Sequence, residues 1–193
     1  MDFPWYKVKA EDECLTQGDI ILSCPVPVID YDEVAYPYFL PEYIEENVII
    51  MTQACDMENR KVRSVTLCRV GLLDDQIKDH FDELNKSKND YDYNNITPKS
   101  KQKYADKIRR GDLLDLYLLD KYNDGVIEHP YRVVHLRDSF RIPLESLERI
   151  VQSKKDSILR LLPPYREHLS HNFSFNFSRI GLPIDVKLSL GEF

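Results

Sequence analysis

Gly18-Asp19-Ile20-Ile21-Leu22-Ser23-Cys24-Pro25 is the stretch from which the fold is read. Gly18 and Asp19 read as a turn, and the β-branched run after them as a short buried strand. Pro25 and Pro27 read as its limit, because proline cannot donate to a sheet ladder. Val48-Ile49-Ile50-Met51-Thr52 and Val65-Thr66-Leu67-Cys68-Arg69-Val70 have the same character and predict a second and third strand. The polar stretch Asn59–Ser64 connects them. Asp30–Glu46, rich in tyrosine, proline and carboxylates, reads as a long loop.

Further along, the period changes. Ile77, Phe81 and Leu84 recur at helical spacing between Asp74 and Leu84, which predicts an amphipathic helix. Asn85–Asn95 is polar and reads as an exposed loop. Thr97-Pro98 predicts the cap and first turn of another helix, running to Arg110 and halted by Gly111. Strand character returns over Asp112–Leu119, and Asn123-Asp124-Gly125 marks a hairpin turn. Tyr131–Leu136 and Ser139–Ile142 read as strands and Pro143–Leu147 as a short helical turn. A last helical region covers roughly Lys154–Arg179, broken at Pro163-Pro164. This order predicts an α+β chain with a mainly β core. Residues 1–150 form a small antiparallel barrel with a helical insertion at 74–110, and residues 151–193 a helical tail packed on the barrel or on a partner.

The chain has 193 residues, 42% of them hydrophobic and 31% charged, enough apolar content for a real core. Acidic residues outnumber basic ones 33 to 26, a net charge of -7. That balance argues against a protein that coats nucleic acid by charge alone. No apolar run approaches the roughly 20 residues of a membrane span. Met1–Tyr6 lacks the basic start and apolar stretch of a signal peptide. The expectation is a cytoplasmic protein without a membrane partner, its four cysteines (Cys14, Cys24, Cys55 and Cys68) reduced.

Gly18-Asp19-Ile20-Ile21, the strands Asn47–Thr52 and Val65–Val70, and the late segment Val133-Val134-His135-Leu136-Arg137-Asp138-Ser139-Phe140-Arg141-Ile142 together resemble the MazF/PemK-type toxins. In that family an opening Gly-Asp-Ile/Val leads into the first strand, and a late strand–turn–strand precedes the last helix. The resemblance covers about half the chain and implies an SH3-like barrel. The family's ribonucleases place a basic residue just before the second strand, where this chain has Glu45-Glu46-Asn47. The insertion and the tail have no counterpart in the minimal toxin. The resemblance therefore implies the fold and a toxin–antitoxin or defence setting, and the activity is not carried over.

Thr52-Gln53-Ala54-Cys55-Asp56 is the most suggestive chemical string. It follows a strand, where scaffolds present reactive side chains. Thr52 and Gln53 supply hydrogen-bonding groups, and Cys55 as a nucleophile needs a base, for which His135 is the candidate. Against this, Asp56 beside the thiol disfavours the thiolate. A Cys55 that packs under the barrel, with Asp56 accepting backbone N–H groups, fits the same residues. No cysteines are closely paired. His168 and His171 are three apart with only Glu167 nearby, so neither a metal nor a cofactor is expected.

Basic residues gather at Arg60–Arg63, along the inserted helix from Lys99 to Arg110, and at Arg132, Arg137 and Arg141 on the late strands. An outward face of these three arginines beside Tyr131 and Phe140 would suit single-stranded RNA. In the tail, Leu169, Phe173, Phe177 and Ile180 fall on one helical stripe, with Phe175 to the side. Such a stripe closes a core or docks on a protein partner or a second copy. Three function classes follow. The first is an interaction or regulatory component of a bacterial toxin–antitoxin or defence-like system. The second is an endoribonuclease using Thr52, Cys55, Asp56, His135 and Arg137. The third is a cysteine-dependent hydrolase centred on Cys55.

Overall fold

Extended backbone begins early in the computed structural model, which describes residues 3–31, 39–154 and 158–178. The strands are β1 (Tyr6–Val8), β2 (Asp19–Tyr31), β3 (Phe39–Ile50), β4 (Ser64–Leu72), β5 (Leu116–Leu119), β6 (Tyr122–Asn123), β7 (Glu128–His129), β8 (Arg132–Pro143) and β9 (Leu159–Leu161). The helices are α1 (Ala54–Glu58), α2 (Leu73–Asn85), α3 (Pro98–Arg109), α4 (Leu144–Lys154) and α5 (Tyr165–Phe177). A 3₁₀ turn at Tyr93–Asn95 precedes α3. Seven strands form one antiparallel sheet in the order β1-β9-β2-β3-β4-β8-β5, while β6 and β7 make a separate hairpin. The fold is thus α+β with a mainly antiparallel sheet.

The expected closed barrel is not what the ladders show. Among the described residues β1 and β5 are the two edges of the sheet and do not pair with each other. The sheet is nevertheless strongly curled, because all seven strands send side chains into one cluster. Tyr6, Leu161, Ile20, Ile49, Val70, Val134 and Leu119 are its members from the successive strands. Two irregularities sharpen the bend. Leu22 and Ser23 bulge against Asn47, and Leu136–Asp138 are extra residues on β8 where it crosses from Cys68 to Arg69 of β4. Fully buried leucines such as Leu119, Leu136 and Leu161 each contribute about 1.5–3 kcal/mol by leaving water.

Three sequence expectations change. The loop expected over Asp30–Glu46 is largely a hairpin: β2 and β3 pair from Cys24↔Glu46 to Tyr31↔Phe39. Pro25 and Pro27 lie within β2 rather than ending it. Among the described residues β2 pairs β9 only at Asp19 and Ile20. Beyond that point no strand among the described residues pairs its second edge, and a strand paired on one side tolerates proline. The division at residue 150 is also displaced. The segment assigned to a helical tail contributes β9, which lies between β1 and β2.

α2 and α3 follow their sequence signals closely, whereas the short turn expected over Pro143–Leu147 is a helix running to Lys154, and the last helix is confined to Tyr165–Phe177. Thr97 accepts a hydrogen bond from the Ser100 amide at 3.3 Å, and α3 ends before Gly111 at φ +74°. α2 and α3 bring Ile77, Tyr104 and Ile108 onto Leu116 and Val133. α4 covers the other face of β2–β4 with Leu144 and Leu147. Among the described residues no helix is long and apolar enough to cross a membrane.

Candidate functional site

The Thr52–Asp56 string sits where the strand reading put it, at the end of β3. The Thr52 hydroxyl accepts the Thr66 amide at 2.7 Å, which ties the turn to β4. The Gln53 carbonyl accepts the amides of Asp56 and Met57 and starts the single turn of α1. Met57 is buried and pegs that turn to the core, so Cys55 faces solvent. Its thiol lies 3.8 Å from Gln53 Oε1 and 3.8 Å from Asp56 Oδ1. Both are acceptors for the thiol S–H.

A cavity of about 570 Å³ opens beside this turn, lined by Ala54, Glu58, Cys14, Thr16, Arg160 and Arg166 among others. Arg160 forms its floor. Its guanidinium bonds both carboxylate oxygens of the buried Asp19, Glu13 Oε2 at 3.0 Å and the Cys14 carbonyl at 2.7 Å. The Asp19 bond holds the Arg160 guanidinium above its ordinary pKa, while burial, only partly opposed by Arg160, pushes the Asp19 carboxyl up. Lys7 pairs with Glu13, and Arg166 with Glu167. The cations lining the cleft are therefore matched by carboxylates.

His135 is elsewhere. It lies on β8 opposite Arg69 of β4 and Leu116 of β5. A Cβ on Gly71 would come within 3.1 Å of its Nε2, so glycine at 71 makes room for the ring. Burial is the main influence pushing His135 below the ordinary histidine pKa, opposed by Asp138 and Asp115. No hydrogen bond among the described residues joins it to Cys55.

The late arginines do not form one outward face. Arg132 is buried at 9% exposure. Arg137 donates from Nε to Asn176 Oδ1 of α5 at 3.0 Å, and Arg141 donates to the Ser64 carbonyl at 3.3 Å. The extra residues Leu136–Asp138 on β8 interrupt the alternation on which the outward stripe depended.

The tail stripe is rotated from its expected position. Leu169 is 1% exposed and Phe173 packs on the main core, but Asn176 rather than Phe177 completes the inner face. Asn176 also donates to the Leu114 carbonyl, so Arg137, Asn176 and Leu114 pin α5 to the sheet. Phe177 is 58% exposed. Ile180 lies outside the described residues.

A second region, along the outer edge of β5, was not assembled from the sequence. A cavity of about 550 Å³ runs between α3 and α5, with Leu116–Leu118 along it and Trp5, Tyr117, Tyr131 and Tyr165 among its lining residues. Trp5 stacks on Tyr165 at 3.8 Å between centroids. The Tyr117 hydroxyl donates to the Tyr165 carbonyl at 3.3 Å and lies 3.2 Å from His168 Nδ1. A neighbouring cavity of about 430 Å³ shares Arg109, Leu118 and Tyr131 and continues between α2 and α3.

His168, Asn172 and Phe175 fall at i, i+4 and i+7 on α5. The exposed Phe175 therefore extends the groove-facing stripe. From Pro98 to Arg110 the basic residues are Lys99, Lys101, Lys103, Lys107, Arg109 and Arg110, against the single acid Asp106. The signal available in the sequence was this basic helix together with the only tryptophan, Trp5; what joins them is a contact between distant segments.

Among the described residues no group of three or more His, Cys, Asp or Glu side chains is placed to hold a metal ion. His168 is engaged with Tyr117, and His171 stacks on Phe175. In comparisons with known proteins, no family model, curated protein or solved structure matches this chain.

Proposed function

We propose that this chain is an interaction or regulatory component of a bacterial multi-component system, of the toxin–antitoxin or defence kind, and that it receives a protein partner in the groove along β5. The SH3-like barrel belongs to the same proposal. Convergence of all seven strands on one core supports it, as does the bridge from the Tyr6 hydroxyl on β1 to the Asp120 carbonyl just beyond β5, at 2.7 Å. Such a seam is what a small barrel leaves when its first and last strands approach without pairing.

The observation that carries the functional reading is that β5, with β8 as its one strand neighbour among the described residues, lies in an aromatic groove. An edge strand offers unpaired N–H and C=O groups to an added strand, and neighbouring pockets select its side chains. The walls come from α3 and α5, the elements beyond the minimal barrel. Basic α3 in a chain of net charge -7 favours an acidic partner segment.

The endoribonuclease reading keeps one specific support: aromatic rings beside Arg109 and Arg110 also suit stacked bases and phosphates. Incubating the purified protein with mixed RNA separates the two. The interaction reading expects intact RNA. Discrete cleavage lost in His135→Ala or Arg137→Ala would replace it with the ribonuclease.

A further inference from the structure

Just inside the Tyr6–Asp120 bridge lie two buried basic side chains with unmet hydrogen-bonding groups. Among the described residues neither ring nitrogen of His129, 2% exposed, makes a well-formed hydrogen bond, the Pro130 carbonyl being its only backbone neighbour of that kind. Among the same residues Nε and Nη1 of Arg132, 9% exposed, have no partner. Arg132 shares a strand face with Val134 and Leu136, both fully buried in the main core. The guanidinium therefore points into the end of that core. The Tyr6 ring stands 5.8 Å from the His129 ring and 6.0 Å, edge-on, from Tyr122. These groups converge where the first and last strands of the sheet meet.

An arginine stays charged at any ordinary pH, and a buried charge needs a counter-charge or a full set of hydrogen bonds. Asp120, beside Tyr6, makes no ion pair with Arg132; its Oδ1 accepts the Lys121 amide at 2.8 Å. Among the described residues no side-chain hydrogen bond or ion pair reaches Arg132. We propose that the Tyr6–His129–Arg132 cluster is a binding site for a small inorganic anion, of the size of chloride or phosphate, which fastens the seam between β1 and β5. The charge excludes a metal cation, and the burial excludes a nucleotide or peptide. The His129 ring, neutral near pH 7 because burial and Arg132 push its pKa down to about 4, supplies one further N–H. Asp120 and Trp5 line the β5 groove, so the occupied seam would also stiffen one wall of that groove. The site stands whether or not a partner docks there.

The test is thermal unfolding of the full chain at constant ionic strength, with chloride or inorganic phosphate replacing bulky gluconate. A saturable rise of roughly 5 °C or more at large excess over the dissociation constant is expected with at least one of the two anions. Which anion acts identifies the occupant. Arg132→Met should abolish the rise, and His129→Gln should weaken it. Should Arg132→Met fail to fold, crystals of the unaltered protein soaked in bromide or in phosphate decide. The expected result is anomalous or oxyanion density about 3–3.5 Å from the Arg132 guanidinium. Indifference to both anions, an undiminished rise in Arg132→Met, or neither kind of density at Arg132 overturns the proposal.

Discussion

Arg160 and Asp19, 141 residues apart in the chain, meet side by side in the core: Nε donates to Oδ1 at 2.6 Å and Nη2 to Oδ2 at 3.0 Å. The Thr16 amide adds a third bond to the same carboxylate at 2.9 Å. The pair locks the first residue of β2 to β9, its neighbour in the sheet. Gly18, at φ +85°, turns the chain into this position, and a Cβ there would press on Leu161 and Arg166 at 3.2 Å. Gly18-Asp19 is therefore an anchor for the late strand as well as a turn.

Asp19→Ala should destabilise the protein by about 1.5–3 kcal/mol, because Arg160 loses its bidentate partner and keeps only Glu13 and the Cys14 carbonyl. Asp19→Leu combined with Arg160→Met should cost less than Asp19→Ala alone, since no charge is left buried. Urea unfolding measures both. A loss below about 1 kcal/mol for Asp19→Ala would show that the pair does not hold β9.

What the sequence made legible was local. The strands around Ile20, Ile49 and Leu67 and both inserted helices follow from periodicity, Thr97 and Gly111. β9 was hidden because three residues, Leu159–Leu161, are too few to show a period. Its assignment depends on Asp19, far away in the chain. The β2–β3 hairpin was obscured by prolines, which β2 tolerates past Ile20, where among the described residues it pairs with β3 alone. The Cys55–His135 pairing failed because strand order, rather than residue type, decides which loops meet. The β5 groove joins Trp5, α3 and α5, and no short string encodes that contact.

Leu169→Ala and Phe177→Ala should behave oppositely, although both were expected on one stripe. Leu169 is 1% exposed, and its truncation should cost about 2–5 kcal/mol. Phe177 is 58% exposed, and its truncation should stay within about 0.5 kcal/mol. Equal losses in melting experiments would mean that α5 is seated by a different face.

Two of the four thiols should react in the folded protein. Cys14 and Cys55 are exposed, whereas Cys24 and Cys68 are buried, and that burial pushes their pKa values up to about 11 and about 12. An alkylating reagent at neutral pH followed by mass spectrometry should find two labels before unfolding and four after. Labelling of Cys55 more than about tenfold faster than Cys14 would mark it as an activated thiolate and revive the hydrolase reading.

His129 gives the stability a defined pH response. Its pKa is about 4 in the folded protein against an ordinary 6.5. Between these values the unfolded chain binds the extra proton. The contribution is complete above about pH 6.5 and is lost as pH falls through 4, amounting to about 3 kcal/mol. His129→Gln should flatten that window relative to the unaltered protein in urea titrations at successive pH values. An unchanged slope would mean that His129 is protonated in the fold.

A protein partner seated in the β5 groove is what the proposed function requires. The most direct measurement is quantitative affinity capture from the source cells, comparing the unaltered chain with a Tyr131→Ala, Arg109→Glu double variant. Both positions are exposed, so the variant should keep its melting temperature. One protein should be recovered in near-stoichiometric amount with the unaltered chain, and at least about tenfold less with the variant, a change of about 1.4 kcal/mol. Equal recovery from both, or no stoichiometric protein from either, would contradict the proposed function.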